Sequence, residues 1–575
     1  MVAACWVLFV GVGCATVPEE SLPQPVTGGE PGQGSSDVDP PQQNASPRDV
    51  VRGFVDSSGA TVNNHAAARV YLDSGSQSTW KSDDGPVIIE DTFSTVPAPE
   101  AAQPKDPNER IIMLRGRNVG RLAADGSFSP SIGPYEQPMK LRRQRNGQWR
   151  IVRPPDGTVT TFSKFNANYF GVRLYFFDPD INVLVPDLRY VSASRRADLP
   201  RRVIDLLLDG PSDMLSGAVT SMLDDNAATS TNVTDTADGA LAVPLTGLGE
   251  LNEPTKKLLA AQVVLSLQTV TTSRIRLLSD GAPLIEGQPD WRTGDVPSLS
   301  SAAAPAPNLP GLMTDDGQVL SMSTGSPVPG PAGTGAYQVE SAAQSIDGGR
   351  LAVVQRSGSG PRLRIGELGD SLQQVDLPAR SMTRPTWRPA LSSGEKSTEV
   401  WTVVNGRQVV RVGEQANGTW ASSLVNATDL NAFGPITELR LSRDGTRVAV
   451  VAGGKLVVAG VVRDDQGGVT LRAPRQLQPD KLKQVVGVDW LRQDTLVAAT
   501  SLSSLPVVKL PVDGLRLDAF DASNLTLPVE GVTAAPGRHV VAVDHGGMSM
   551  ASDVGEVWRP HPQTRGADAR PFFPG

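Results

Sequence analysis

Four histidines and two cysteines are the only imidazole and thiol groups in this chain of 575 residues. A Ser-His-Asp hydrolase would have to recruit His65, His539, His545 or His561. No GxSxG elbow, HExxH pair or phosphate-binding GxxxxGK loop accompanies them. His65 falls in an expected helix beside Asn63 and Asn64, where capping or packing is its ordinary role. His539 and His545 would share one face of an uninterrupted strand. Asp544 alternates to the other face and Gly546-Gly547 ends the strand, so no metal site is expected there. Asp178 and Asp180 flank Pro179 and read as a turn, because no third ligand cluster lies nearby. Arg142, Arg143 and Arg145 form a basic arm, read as a solvated strand face with anion binding as the alternative. With 2 cysteines, a disulfide framework, an iron–sulfur cluster and a cysteine-rich zinc site are excluded by counting. No catalytic residue, cofactor or metal is expected, and the chain reads as no enzyme.

Cys14 carries the sharper chemistry. An apolar run from Val2 to Val12 precedes it, about half the roughly 20 residues a membrane-spanning helix needs. That length fits the apolar part of a secretory signal. Gly11-Val12-Gly13 before Cys14, followed by polar, Pro-rich sequence, resembles a bacterial lipobox. There the thiol forms a thioether to diacylglycerol and residues 1–13 leave as a signal peptide, taking Cys5 with them. Gly11 stands where Leu is usual, and no Lys or Arg precedes Cys14; a start codon placed further upstream would supply the missing charge. Residues 14–45 then read as a lipidated acidic tether. Ala15 to Ala45 holds Glu19, Glu20, Glu30, Asp37 and Asp39 and no cation. Its random-coil reach is roughly 30 Å, and two acyl chains suffice for stable attachment. The expected location is the extracytoplasmic face of the cell membrane.

The elements beyond the tether follow from pattern. Gly 57 and Pro 47 favour many turns over long helices, and 39% hydrophobic residues are enough for several cores. Net charge −8 argues against nucleic acid as a partner. Residues 46–165 read as an α+β domain. Ser46-Pro47 opens a helix with Val50, Val51, Phe54 and Val55 inward. A second helix is expected from Asn64 to Leu72 with Ala67, Val70 and Tyr71 inward. Met139–Arg145 and Gln148–Arg153 flank Asn146-Gly147, the pair preferred in a type I′ hairpin turn. Residues 168–297 read as a second α+β domain. Phe170 to Phe177 alternates as a strand, and Ile181 to Val185 as another. A helix over Arg201–Leu208 ends at Asp209-Gly210-Pro211. Asn252 and Pro254 open another, with Leu258, Leu259, Ala261, Gln262 and Leu265 on its packed side.

Residues 298–310 read as a Ser/Ala/Pro-rich linker. From 311 to 575 the texture is short apolar strands with Gly/Asp turns. Ser345-Ile-Asp-Gly-Gly-Arg-Leu-Ala352 matches Ser442-Arg-Asp-Gly-Thr-Arg-Val-Ala449, and Trp387 and Trp490 recur in similar strands. Steps of about 42 to 55 residues suit four-stranded propeller blades. About six units are expected. Trp387, Trp490 and Trp558 read as core anchors, and Val448 to Gly453 is apolar on both faces. The last unit, Val540–Val543 and Gly555–Trp558, is expected to close the ring against Val319–Met322.

This order of features resembles the actinobacterial LpqB lipoprotein family. The residues that carry the resemblance are Val172-Arg-Leu-Tyr-Phe-Phe177, Arg189-Tyr190-Val191, Leu206-Leu-Leu-Asp-Gly-Pro-Ser212 and Ala261-Gln-Val-Val264. The resemblance implies a multidomain fold: two α+β domains, NTF2-like and GerMN-like, followed by an all-β propeller. It also implies a noncatalytic lipoprotein beside the MtrA–MtrB two-component system. The implied partners are the ectodomain of the sensor histidine kinase MtrB and the membrane, through diacylglycerol on Cys14. Peptidoglycan is the alternative partner.

Overall fold

Ser46 sets the first helix, Pro47–Ser58. Its hydroxyl accepts from the Asp49 amide at 3.3 Å, and the Asp49 carboxylate accepts from the Ser46 amide at 3.3 Å. The computed structural model describes residues 41–82, 85–178, 183–192, 196–296, 304–390, 395–563, 566 and 568–575. Cys14, the expected signal segment, residues 14–40 of the tether, Asp180 and much of the expected linker lie outside them.

Val50, Val51, Phe54 and Val55 are buried as the spacing requires, against Ile112, Leu114, Met139, Leu141 and Ile151 of a sheet. That sheet runs Trp149–Arg153, Phe128–Arg143, Glu109–Leu122, Val87–Ile89, Val159–Thr161. Its two long strands make one antiparallel ribbon with Glu109 opposite Arg142 and Leu122 opposite Phe128. Two expectations need correction. The second helix spans Val62–Arg69, and its fully buried residues are His65 and Ala68, with Leu72 beyond; Tyr71 packs on the core cluster as expected, whereas Ala67 and Val70 are only half-buried. Asn63, Asn64 and His65 take left-handed backbone angles, which rotates the helix away from the face that straight 3.6-residue spacing gives. The hairpin at Asn146-Gly147 is also not a two-residue type I′ turn. Gly147 alone has positive φ, +81°, and its amide donates to Gln144 O at 2.8 Å while Gln144 N donates to Gln148 O at 2.7 Å. The turn is therefore one residue wider, with glycine in the left-handed position.

The second domain opens with the hairpin Tyr169–Phe177 and Leu184–Ser192, so its second strand extends well past the expected end at Val185. Asp178 sits at the turn, and its amide donates to Val183 O at 3.1 Å. The next helix spans Leu199–Leu208 and ends before Gly210, φ +86°. Asn252 caps the helix Glu253–Leu267 by accepting from Thr255 N at 2.9 Å. That helix crosses between the parallel strands Ala240–Thr246 and Arg274–Ser279. Leu259, Ala261 and Gln262 are buried as expected, whereas Leu258 and Leu265 are only half-buried.

Among the described residues, the remaining chain forms six antiparallel sheets in succession, five of four strands and one of three, and no single sheet closes on itself. The four-stranded sheets begin at Val339, Thr386, Ile436, Val485 and Val529. The three-stranded one combines Leu312–Asp315 and Gln318–Ser321 with Arg570–Phe572. Each neighbouring pair encloses its own apolar cluster, and the series returns on itself. Val448 and Val450 face the third sheet, while Ala449 and Val451 face the fifth. The sixth sheet packs Val541 and Val543 on Leu320 and Met322 of the first. The last unit thus packs where it was expected but does not pair there. The closing strand is Arg570–Phe572, antiparallel to Leu312–Thr314.

Trp387, Trp490 and Trp558 are fully buried. The Trp387 indole donates to Ala343 O at 2.9 Å and that of Trp490 to Arg440 O at 3.1 Å, so each anchors its sheet to the preceding one. In both repeats the serine closes the turn. Ser345 Oγ accepts from Arg350 N at 2.9 Å, and Ser442 Oγ from Arg447 N at 3.0 Å.

Candidate functional site

The densest polar organisation lies where the three domains meet. Ile88, Leu122 and Phe128 of the first domain, Phe165, Tyr169 and Tyr190, and Leu515 of the sheet assembly share one apolar cluster. Phe165 stacks on Tyr169 with centroids 4.6 Å apart. Beside this cluster, Arg189 is completely buried. It donates from Nε and Nη2 to Asp187 Oδ2 at 3.1 and 2.7 Å, from Nη2 to Gly210 O at 3.1 Å, and from Nη1 to Asp125 O at 2.5 Å. Asp187 also accepts from Ser212 N and Oγ at 2.8 and 2.9 Å. The Leu206–Ser212 motif therefore closes around a buried ion pair that reaches into the first domain.

The same hairpin docks on the sheets. Arg173 Nε donates to Asp494 Oδ2 at 2.5 Å. Burial alone would raise the Asp494 carboxyl, but Arg173 holds it below its ordinary range. Gln493 Nε2 donates to Leu184 O at 2.7 Å, and Arg447 Nη2 to Pro186 O at 2.5 Å. Tyr190 OH donates to Asp513 Oδ2 at 2.8 Å, and Leu515 N to Asp513 Oδ1 at 3.0 Å. Burial pushes Asp513 up to about 6, and the same burial raises the Tyr190 phenol.

A second charged cluster lies among the leading strands of the sheets. Asp489 accepts from Thr533 Oγ1 at 2.7 Å and pairs with Arg384 at 3.6 Å. Burial works to raise it, but Arg443, Arg384 and Arg440 hold it below its ordinary value. Arg443 donates to carbonyls of three other sheets: Trp490 O, Ala534 O and Pro574 O. It acts as a cross-brace through Nη1 and Nη2, which both donate to backbone.

The residues singled out in the sequence are scattered. His65 packs on Trp80, centroids 6.1 Å apart, with Nδ1 2.9 Å from Ser58 O. His539 precedes the strand Val540–Asp544 and His545 follows it, so they bracket its ends instead of sharing a face. His545 pairs with Glu530 at 3.2 Å. His561 Nδ1 accepts from Gln563 N at 3.1 Å. Among the described residues no group of three His, Cys, Asp or Glu side chains could hold a metal ion. An open cleft of about 760 Å³ lies over Asn63, Asn64, Arg69, Gln77 and Lys81. Its Arg69 spends its donors on Asn64 O, Gln77 O, Trp80 O and Ser82 Oγ.

Pattern reading missed the role of Arg189, Tyr190 and Asp513. One signal was available: Asp187 and Arg189, two residues apart on one face of a largely apolar strand, must be exposed or tightly paired.

Two α+β domains locked to a ring of six sheets make up the described architecture. Three family profiles cover it. "Lipoprotein LpqB, N-terminal domain" matches residues 40–166, "Sporulation and spore germination" (the GerMN domain) residues 173–285, and "Lipoprotein LpqB beta-propeller domain" residues 316–574. Lipoprotein LpqB of Rhodococcus opacus (strain B4) is 33% identical, over 99% of this chain and 96% of that protein. Lipoprotein LpqB of Nocardia farcinica (strain IFM 10152) is 32% identical over 99% and 97%. A chain of the nidogen/laminin complex is similar at TM-score 0.32 and 12% identity, over 44% of this chain and 95% of that one. The chain belongs to the LpqB lipoprotein family.

Proposed function

We propose that this chain is a noncatalytic lipoprotein, held on the extracytoplasmic face of the cell membrane by diacylglycerol on Cys14. It modulates the MtrA–MtrB two-component system by contacting the extracytoplasmic part of the sensor kinase MtrB. The observation that carries a docking role is the junction around Arg189 and Tyr190. It joins all three domains through buried polar bonds, so a partner meets one continuous surface instead of three loosely linked modules. The relatives' shared name, lipoprotein, supports the anchor. Such a protein shifts kinase signalling only by binding the kinase's states unequally.

The test is direct binding between the purified chain and the MtrB ectodomain, with phosphorylated MtrA measured in cells lacking this protein. Saturable binding and an altered phosphorylated fraction are expected. No binding together with unchanged phosphorylation would refute the proposal.

A further inference from the structure

Between Gln137 and Pro155 the chain carries Lys140, Arg142, Arg143, Arg145, Arg150 and Arg153 and no acid, in a protein of net charge −8. The fold gathers these cations at one edge of the first domain's sheet, whose outermost strand is Trp149–Arg153. Met139, Leu141 and Ile151 point into the core, so alternation turns Lys140, Arg142 and Arg150 outward. Arg142 stands directly opposite Arg150, and Lys140 opposite Arg153. Like charges across a strand pair destabilise it, so this arrangement costs stability.

Among the described residues, Glu109 is the acid that pairs with these cations. It lies 2.6 Å from Lys140 Nζ and 2.9 Å from Arg142 Nη2, and these two cations hold its carboxyl low. Arg143 donates to Gly147 O at 3.1 Å, and exposed Arg145 and Arg153 bond no acid among the described residues. Trp149, opposite Arg143, has one side on the core cluster and part of its surface open. A part-exposed indole and long cationic side chains at one sheet edge are the residue types that favour a membrane–water interface.

We propose that this hairpin, from Met139 to Arg153, docks on an anionic phospholipid surface and so orients the anchored molecule. The cations lie along two strands and not around a pocket, which suits repeated headgroup phosphates better than one small anion. The proposal rests on the anchored reading for proximity only. A tether reaching roughly 30 Å keeps the arm at high effective concentration near the bilayer, where weak attraction suffices.

The test uses the full chain carrying Cys14→Ser, so that docking is read apart from acylation. Co-sedimentation is measured with vesicles of phosphatidylcholine alone and with about one third phosphatidylglycerol. Binding is expected on the anionic vesicles only, and 0.5 M salt should abolish it. R143Q/R145Q/R153Q, which leaves the Glu109 contacts intact, should weaken it about a hundredfold, at roughly one surface cation's attraction per substitution. Its unchanged thermal unfolding is the control for folding. Equal binding to both vesicle types, or equal binding by the triple variant, would overturn the proposal. Retention on purified peptidoglycan with none on vesicles would assign the arm to the wall polymer and overturn it too.

Discussion

Asp513 is a buried carboxyl whose chemistry its sequence context does not show. Burial raises its carboxyl to about 6, above the roughly 3.9 of an unfolded aspartate. The folded state therefore binds the extra proton between those values. The stability this gives is complete below about pH 4 and is lost as pH rises through about 6. Asp513→Asn removes the titration. The stability difference between wild type and D513N in urea unfolding should fall by on the order of 2 kcal/mol from pH 4 to pH 7. Parallel pH profiles would show that Asp513 does not carry the shift. None of this was legible in the sequence, because the partner that buries Asp513 is Tyr190, more than three hundred residues away. A single sequence shows where a charge lies but not whether a distant strand covers it. Arg443 and Arg189 illustrate the same limit, since each also donates to a carbonyl of a remote segment, Arg443 to Ala534 O and Arg189 to Asp125 O.

At the scale of elements, the period-two alternation of Val448 to Ala452 did translate into structure, because each sheet is covered on both faces by its neighbours. Asn405-Gly406 also delivered the turn its residues favour, with φ of 55° and 66°. The closing strand escaped notice for a physical reason. Arg570–Phe572 is three residues long and contains Pro571, which weakens any strand signal. The first domain's second helix was misphased because left-handed angles at Asn63 to His65 leave no mark on hydrophobic periodicity. Adhesion between sheets gives the test that belongs here. Trp490 fills the core between the fourth and fifth sheets and bonds Arg440 O. Trp490→Ala should cost about 3–5 kcal/mol in chemical denaturation. Trp490→Phe should cost less, since it mainly orphans one carbonyl, about 1–3 kcal/mol. Equal and small losses for both would mean that the sheets are held together by other contacts.

For the whole molecule, the issue is whether three domains behave as one body. Arg189 bonds Asp187, Gly210 and Asp125 from a fully buried position. Removing it leaves Asp187 buried without its cation, a loss of about 3–5 kcal/mol for a broken buried pair. Arg189→Ala should therefore split calorimetric unfolding, with the first domain melting before the rest. A single unshifted transition would show that the apolar cluster alone couples the domains. The split also bears on function, because R189A should loosen the surface offered to a partner while leaving the sheet ring intact.

On the proposed function, the anchored body meets the kinase in its own membrane. Crosslinking in intact membranes, followed by mass spectrometry, tests that meeting. Crosslinks are expected between residues of the six-sheet ring and the extracytoplasmic part of MtrB, and weaker ones when R189A loosens the junction. Reproducible crosslinks from this chain to other envelope components, with none to the kinase, would contradict it.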